Sequence, residues 1–472
     1  MNTTTHLEAR NNPAPGHLEA WPGSNDRPDF VAFTCLPAEC RAQVRFRPLP
    51  GRAGQSELTV LFNGAPVALA DSLAVLERFA LKALDHRPLP WSGGLSCQRF
   101  LVAHADRPVE VATLVARLEQ ALQEAWQGEA DADAFSALVL LAGFDGREAA
   151  LFRALARYLR QIAFPIGSDE IATALLRNVD VTRRLLGLFH ESFDPARAGR
   201  DDTPCPLPDA ALRGNLERVA SAEDERVLRH YLMLLSALLR TNYYRSGASC
   251  LAFKFASTAI EGLPLPRPCF EIYVHAPRVE GIHLRGGRVA RGGIRWSDRP
   301  ADFRTEVHGL LKAQMVKNVV IVPEGSKGGF VVRRAAEFAG NAAALREEAV
   351  ACYKVFIRGL LDLTDNIVDD RVVPPAGVVR RDGDDPYLVV AADKGTASFS
   401  DIANGIALEY GFWLGDAFAS GGSVGYDHKK MGITARGACE AVKRHFREMV
   451  KDIQQQPFSV ARIGDMSGDV FG

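Results

Sequence analysis

The chain has 472 residues, enough for roughly two to four domains, because single cores stop growing near about 250–300 residues. Its 56 basic and 57 acidic side chains leave a formal net charge of −1, so no overall basic field indicates nucleic-acid binding. The eight scattered cysteines indicate neither a zinc site nor a disulfide scaffold, and the apolar runs are too short to span a bilayer, so we expect a soluble, cytoplasmic protein without a membrane partner.

The first 107 residues predict a tail followed by a small βαβ-like module. Residues 1–30 are rich in Pro, Gly and Asn and show little apolar periodicity, which favours a mobile tail. Within residues 31–107, ELTVLF indicates a strand and NGAP a turn. Residues 71–84 then have the apolar stripe of a helix, and CQRFLVAH indicates a second strand.

Residues 108–260 predict a helical domain. Apolar residues recur at helical spacing through residues 109–193, with an interruption at the PIG that begins with Pro165. TPCPLPD is a candidate linker. Ser221, followed three residues later by Asp224, resembles a capping box at the start of the next helix.

Residues 261–456 change to a mixed α/β pattern. CFEIYVHA and GIHLR indicate strands, and Asp302 can cap a helix that ends at Lys317. A β-branched run over residues 318–322 predicts a short buried strand, which we expect a glycine loop to follow. A later apolar run, YLVVAAD, ends in Asp393, and a carboxylate at the end of a parallel strand commonly faces a crevice.

Glycine pairs and basic residues make residues 291–330 the strongest candidate for a functional site. Two Gly-Gly pairs let the backbone turn sharply or approach a ligand closely, and each pair has basic neighbours. The pattern predicts an anion-binding active site, although a basic surface loop beside a buried strand accounts for it equally well. The residues concerned are Gly292, Gly293, Gly328 and Gly329, with Arg291, Arg295 and Lys327.

Two lysines and one aspartate could carry chemistry. Lys317 at a helix C-terminus and Lys327 beyond the next strand can converge on one cleft. One amine would pair with a substrate carboxylate, while the other, partly desolvated and with a lowered pKa, would polarise a carbonyl. Asp393 could then transfer protons. Each has a structural alternative, namely a helix C-terminal cation, an exposed loop lysine and a turn cap, respectively.

The final residues, FSVARIGDMSGDVFG, predict a strand that enters a glycine-punctuated turn. Gly464, Gly468 and Gly472 do not make a strict GxGxxG, and two intervening aspartates would repel a pyrophosphate, so the nucleotide signal is weak. A βαβ unit needs about 30 residues or more. A nucleotide-binding unit that began in residues 457–472 would therefore not be completed within this chain.

Four tracts are distinctive when taken together: RGGIRWSDRPADFRTEVHGLLKAQMVKNVVIVPEGSKGGF, VVAADKGTASFSDIAN, GYDHKKMGITARGA and GDMSGDVFG. They resemble the large-subunit class of bacterial NAD-specific glutamate dehydrogenases, and the similarity covers residues 135–472. The resemblance implies a mixed α/β multidomain enzyme. Its parts would be an ACT-like regulatory module in residues 31–107, a helical domain in 108–260, a substrate-binding domain in 261–456 and the start of a Rossmann domain in 457–472.

The resemblance also implies a reaction, in which glutamate is oxidatively deaminated to 2-oxoglutarate and ammonia and a hydride passes from Cα to NAD. Lys317 would bind the α-carboxylate, Lys327 would polarise the carbonyl or activate water, and Asp393 would transfer protons. Arg291 stands where smaller glutamate dehydrogenases have a lysine that grips the side-chain carboxylate, and Arg295 is a second substrate-binding candidate. The implied cofactor-binding residues are Thr434, whose alternative is a helix cap, and Gly464, Gly468 and Gly472. A homo-oligomer is also implied.

Three hypotheses remain open at this point. The chain could be a dehydrogenase fragment that needs a missing domain for turnover. It could instead be a noncatalytic amino-acid-sensing or assembly module, built on the βαβ-like region and the helical domain. It could also be a nonfunctional remnant of a disrupted gene.

Overall fold

The computed structural model describes residues 40–52, 54–65, 67–89, 94–104, 111–197, 210–317, 324–425 and 431–461. The described residues form two compact units. One comprises the residues up to Leu239 with Ala259–Leu263 and His275–Pro277, and the other comprises Arg240–Thr258, Pro264–Val274 and the residues from Arg278 onward. Within the described ranges, no helix has both the length and the apolar character that crossing a membrane requires. The tail predicted over residues 1–30 lies outside these ranges.

The first unit begins with a four-stranded antiparallel sheet and a helix. The elements are β1 (Ala42–Pro48), β2 (Gln55–Asn63), α1 (Leu69–Arg78), β3 (Leu81–Leu89) and β4 (Leu95–His104). The strand order is β1-β2-β4-β3, and every neighbouring pair is antiparallel. Alternate residues of β1 are buried, as expected for a strand with one face against a core.

The structure corrects the predicted βαβ pattern. The predicted strands lie in β2 and β4, but β1 and β3 were missed, and the helix predicted over residues 71–84 is too long at its C-terminal end. Helix α1 ends at Arg78 because Ala80 has a φ of 57°, outside the helical region. The following residues pair with β4 as an edge strand, a position where Pro88 is tolerated.

Most of the rest of the first unit is helical, as the helical spacing in residues 109–193 predicts, whereas the predicted helical range 108–260 also contains the strands Leu238–Thr241 and Leu251–Ala256. They are α2 (Val115–Gln127), α3 (Ala137–Leu141), α4 (Gly146–Gln161), α5 (Ser168–Arg177), α6 (Val179–Phe193), α7 (Ala210–Glu217) and α8 (Ala222–Ala237). The predicted interruption at Pro165 separates α4 from α5. Ser221 caps α8 by accepting a hydrogen bond from the backbone N–H of Asp224 at 3.3 Å, as predicted. The buried Tyr231 hydroxyl donates to the carbonyl of Phe152 at 2.8 Å.

A mixed eight-stranded sheet organises the second part of the chain. Its strands are β5 (Leu238–Thr241), β6 (Leu251–Ala256), β7 (Phe270–Ala276), β8 (Val279–Arg285), β9 (Ala290–Trp296), β10 (Glu324–Val332), β13 (Val389–Ala392) and β14 (Ala419–Ser420), while β11 (Asn366–Val368) and β12 (Arg371–Val373) form a separate hairpin. The order is β14-β13-β9-β10-β8-β7-β6-β5. Strands β14, β13, β9 and β10 are mutually parallel, whereas β8 is antiparallel to β10.

Within the described residues, four helices accompany this sheet: α9 (Phe303–Lys317), α10 (Ala342–Leu361), α11 (Ser400–Glu409) and α12 (Ile433–Glu448). Helix α9 connects the parallel strands β9 and β10. The prediction that a helix begins after Asp302 and ends at Lys317 is confirmed. The strand predicted over residues 318–322 lies outside the described residues.

The predicted glycine loop was wrong. Glu324–Val332 is a strand, and the first glycine pair likewise lies within β9 rather than in a turn. The glycines are required by close packing. A Cβ on Gly292 would overlap the carbonyl of Ser326, and a Cβ on Gly329 would come within 2.6 Å of Val307 Cγ2 on α9, closer than real Cβ atoms approach their neighbours.

Candidate active site

The candidate site lies where the parallel strands place alternate side chains on one sheet face. Arg291, Gly293 and Arg295 alternate along β9, so they point to the same side. Lys327 lies beside Gly293 in β10, and a Cβ on Gly293 would be 3.2 Å from Lys327 Nζ, so the lysine shares this face. Asp393 directly follows the C-terminal end of β13, which confirms the predicted carboxylate at the end of a parallel strand.

Lys327 and Asp393 form the centre of the site. The lysine Nζ lies 2.5 Å from Asp393 Oδ2, and the lysine side chain is only 5% exposed. This buried position differs from the exposed-loop alternative considered for Lys327. Strand β10 pairs with β9 on one side and with β8 on the other, so the backbone that carries the Lys327 side chain is held on both sides.

A tight turn holds Asp393 in place. Its backbone N–H donates to Thr396 Oγ1 at 3.0 Å, and the threonine hydroxyl donates to the carbonyl of Ile294 at 2.7 Å. Gly395 makes the turn possible because its φ is +85° and an added Cβ would lie 2.9 Å from the Cβ of Trp296. The turn is thus hydrogen-bonded to β9 and packs against it.

Arg295 adds a second cation to this carboxylate. Its Nε donates to Asp393 Oδ2 at 3.0 Å. Burial alone would raise the pKa of Asp393, but the hydrogen bonds from Arg295 and Lys327 outweigh burial and lower it below the ordinary value. Asp393 is therefore a carboxylate at neutral pH and can accept a proton.

Glu306, on the first turn of α9, binds the other side of the same arginine. Arg295 Nη1 donates to Glu306 Oε1 at 2.9 Å, and the Ser297 hydroxyl donates to Glu306 Oε2 at 2.6 Å. Burial would raise the pKa of Glu306, but the contacts with Ser297 and Arg295 lower it. Sequence reasoning missed Glu306 and Ser297. The only signal for them was that both polar residues lie within the distinctive tract.

A row of small residues separates the guanidinium of Arg291 from the Lys327–Asp393 pair. Gly293, Ala391 and Ser420 are register partners across β9, β13 and β14. Arg291 Nη2 donates to the Ser420 hydroxyl at 3.0 Å. The arrangement sets one arginine apart from the Lys327–Asp393 pair, with only small side chains in the row between them. Ser420 is a further contact residue that the sequence did not reveal.

The remaining predicted residues are less well defined. Lys317 is the last residue of α9, and its side chain lies outside the described part of the structure. Thr434 lies exposed on the first turn of α12. Gly464, Gly468 and Gly472 lie beyond the described residues. Among the predicted site residues, the structure therefore brings Arg295, Lys327 and Asp393 into contact and places Arg291 apart from them on the same sheet face.

A buried charge cluster supports the segment that leads into β13, the strand that ends just before Asp393. Lys254 Nζ lies 2.6 Å from Asp385 Oδ2, and Arg285 pairs with the same carboxylate while donating to the carbonyl of Tyr387 at 2.8 Å. Burial would raise the pKa of Asp385, but the two cations outweigh it and lower the pKa to about 2. The cluster fixes the segment that enters β13. In the described ranges, no group of His, Cys, Asp and Glu side chains is arranged to hold a metal ion.

Comparison with known proteins gives two family matches. The family described as "Bacterial NAD-glutamate dehydrogenase, catalytic domain" matches residues 211–472, and "Glutamate dehydrogenase, helical motif 3" matches residues 130–195. The first match contains every predicted site residue.

Curated relatives agree with these matches. The chain is 51% identical to the NAD-specific glutamate dehydrogenase of Halomonas elongata over 88% of this chain and 26% of the relative. It is also 51% identical to the NAD-specific glutamate dehydrogenase of Pseudomonas aeruginosa, over 90% of this chain and 27% of the relative. The identity to the enzyme of the same name from Mycobacterium tuberculosis is 49%, over 89% of this chain and 27% of the relative. The chain thus spans about a quarter of the length of these relatives. With a catalytic-domain match over more than half of its residues, the chain belongs to the bacterial NAD-glutamate dehydrogenase family.

Proposed function

We propose that the protein acts in the oxidative deamination of L-glutamate to 2-oxoglutarate and ammonia, with NAD as the hydride acceptor. The observation that carries the proposal is the buried Lys327–Asp393 pair, whose Nζ and Oδ2 atoms lie 2.5 Å apart. An ammonium donor and a carboxylate acceptor at one point are what exchange between an amine and a carbonyl requires.

Lys327 and Asp393 divide the proton chemistry. The Lys327 ammonium donates a hydrogen bond to the carbonyl oxygen of the oxo acid and, in the other direction, positions the water that attacks the iminium carbon. Asp393, ionised because Arg295 and Lys327 outweigh its burial, accepts the proton that the substrate ammonium or this water releases. NAD, when bound, supplies the acceptor for the hydride leaving Cα.

Two other cations bind the substrate carboxylates in this proposal. Arg291 binds the side-chain carboxylate, for which a guanidinium offers a bidentate fork, and Ser420 braces it at 3.0 Å. Lys317 binds the α-carboxylate from the end of α9. Arg291 at one side of the small-residue row and Lys327 at the other are consistent with a substrate that has a carboxylate remote from its reacting carbon.

The cofactor would meet the chain through residues of the C-terminal part. Thr434, exposed on the first turn of α12, offers a hydroxyl suited to a carboxamide such as that of nicotinamide. Gly464, Gly468 and Gly472 would let the backbone approach the pyrophosphate closely.

The proposal extends to the rest of the molecule. The antiparallel sheet of β1–β4 with its helix is proposed as the ACT-like regulatory module of the family. A homo-oligomer in the cytoplasm is proposed with it. No disulfide joins the six cysteines within the described ranges, which suits a reducing compartment.

Calorimetry with 2-oxoglutarate tests the substrate site. The chain should bind 2-oxoglutarate, and Lys327→Met should weaken the binding tenfold or more, as expected for loss of a charge-assisted hydrogen bond of about 1.5–3 kcal/mol. Lys394→Met is the matched control, because Lys394 is exposed and follows Asp393 directly. The affinity of Lys394→Met for 2-oxoglutarate should equal that of the unmodified chain.

Other outcomes point to other functions. If Lys327→Met leaves the affinity for 2-oxoglutarate unchanged, the hypothesis of a noncatalytic sensing module is favoured. Binding without NADH formation from glutamate would support the hypothesis of a fragment that retains only the substrate site. No binding of either glutamate or 2-oxoglutarate would contradict the proposal.

A further inference from the structure

Arg295 was predicted as a substrate ligand, but its guanidinium is already engaged by protein carboxylates. Its Nε donates to Asp393 at 3.0 Å and its Nη1 donates to Glu306 at 2.9 Å, so two of the three guanidinium nitrogens each hold a carboxylate. The side chain is only 20% exposed. A guanidinium held in this way is poorly placed to bind a substrate carboxylate as well.

We propose that Arg295 is a positioning residue, which fixes the carboxylate of Asp393 against the amine of Lys327 and leaves substrate recognition to other cations. The inference rests on the proposed function, because it takes Lys327 and Asp393 as the reacting pair. It departs from the sequence-based assignment in giving Arg295 no contact with the substrate.

The charges around Asp393 explain why two carboxylates share this arginine. Facing Asp393 are Arg295 from β9 and Lys327 from β10, with the backbone N–H of Lys394 also directed at it, while Glu306 from α9 faces Arg295. These four side chains carry two positive and two negative charges, so the cluster is neutral. When Asp393 takes up a proton, the contact with Arg295 weakens, but Glu306 keeps its full charge.

Glu306 therefore holds the guanidinium in place throughout the proton transfer. The Ser297 hydroxyl binds the second oxygen of Glu306 at 2.6 Å and fixes its orientation. Asp393 then returns to the same place after it releases the proton. Substrate could not substitute for Glu306 in this role, because it leaves after each turnover.

The first test follows the titration of Asp393 in the ligand-free chain. Aspartate labelled with ¹³C at Cγ is incorporated, and the Asp393 signal is assigned as the one lost in Asp393→Asn. Arg295→Met should raise the titration midpoint by about one unit or more, as expected for loss of an opposite charge in contact. Arg295→Lys, which retains the charge but not the fork, should raise it less.

Arg291→Met is the matched control, because Arg291 lies on the same strand and face but contacts Ser420. It should leave the Asp393 midpoint unchanged. In calorimetry with 2-oxoglutarate near pH 8, Arg291→Met should lose tenfold or more in affinity, whereas Arg295→Met should stay within about threefold of the unmodified chain.

The two readouts separate the possible failures. Loss of affinity in Arg295→Met equal to that of Arg291→Met, with an unchanged Asp393 midpoint, would overturn the positioning role and restore a substrate contact. If Arg295→Met does not fold, an unchanged midpoint in Arg295→Lys overturns the proposal equally well. If the unmodified chain binds no 2-oxoglutarate, the proposed function fails, while the titration still decides whether Arg295 controls Asp393.

Discussion

Replacing Gly292 by alanine probes whether packing, rather than a turn, requires the first glycine pair. Gly292 lies in β9 beside β10, and an added Cβ would overlap the Ser326 carbonyl, well inside the 3.0 Å that real Cβ atoms keep. Because the obstacle is backbone, β9 must move away from β10, with loss of packing and hydrogen bonds. We expect Gly292→Ala to lower the free energy of unfolding by about 3 kcal/mol or more.

Gly309→Ala is the matched control for this substitution. Gly309 is exposed in the interior of α9, and nothing lies within 4 Å of an added Cβ. Alanine there should stabilise the chain by about 0.5–1 kcal/mol through helix propensity. Unfolding in guanidinium, monitored by circular dichroism, measures the free energy of unfolding of both variants. If Gly292→Ala unfolds within about 0.5 kcal/mol of the unmodified chain, the strands are not packed as described and the reasoning fails.

Three further predictions follow from named contacts. The pKa of Asp385, about 2 when folded, lies below its ordinary 3.8, so its stabilisation is present above about pH 4 and is lost as the pH falls toward 2. Asp385→Asn should lower the free energy of unfolding by about 3–5 kcal/mol at neutral pH and flatten its dependence on acid pH. Denaturant unfolding at a series of pH values measures both effects, and a pH dependence equal to that of the unmodified chain would refute the prediction. Gly395→Ala, with φ +85° and a Cβ 2.9 Å from that of Trp296, should lose about 1–2 kcal/mol and weaken 2-oxoglutarate binding in calorimetry, since it displaces Asp393. Tyr231→Phe should lose about 1 kcal/mol in thermal unfolding, because the bond to the Phe152 carbonyl is broken, while binding of 2-oxoglutarate stays unchanged.

The elements that the sequence predicted correctly are those with local signals. The capping pattern at Ser221 and the helix ending at Lys317 are written in nearby residues, and the apolar run before Asp393 indicated a strand with a carboxylate at its end. Strand β1 was missed although its residues alternate. Strand β3 was harder to predict because it is an edge strand, polar along much of its length.

Features that depend on contacts distant in sequence could not be predicted. Gly328 and Gly329 read locally as a turn, yet the approach of Ile294 and Val307 demands glycine within a strand. Likewise, no periodicity indicates that Arg295 reaches both Asp393 and Glu306. The sequence identified which residues carry charge, but only the fold determines which charges neutralise each other.

The placement of Ser420 has a consequence for how this site can change. Ser420 lies in β14, a two-residue strand at the end of the described sheet order, whereas Lys327 lies in a central strand bonded on both sides. Substitutions near Ser420 can therefore alter the support of Arg291 without disturbing the strands that hold Lys327 and Asp393. Under the proposed function, such substitutions would change substrate preference during evolution while leaving the chemistry unchanged.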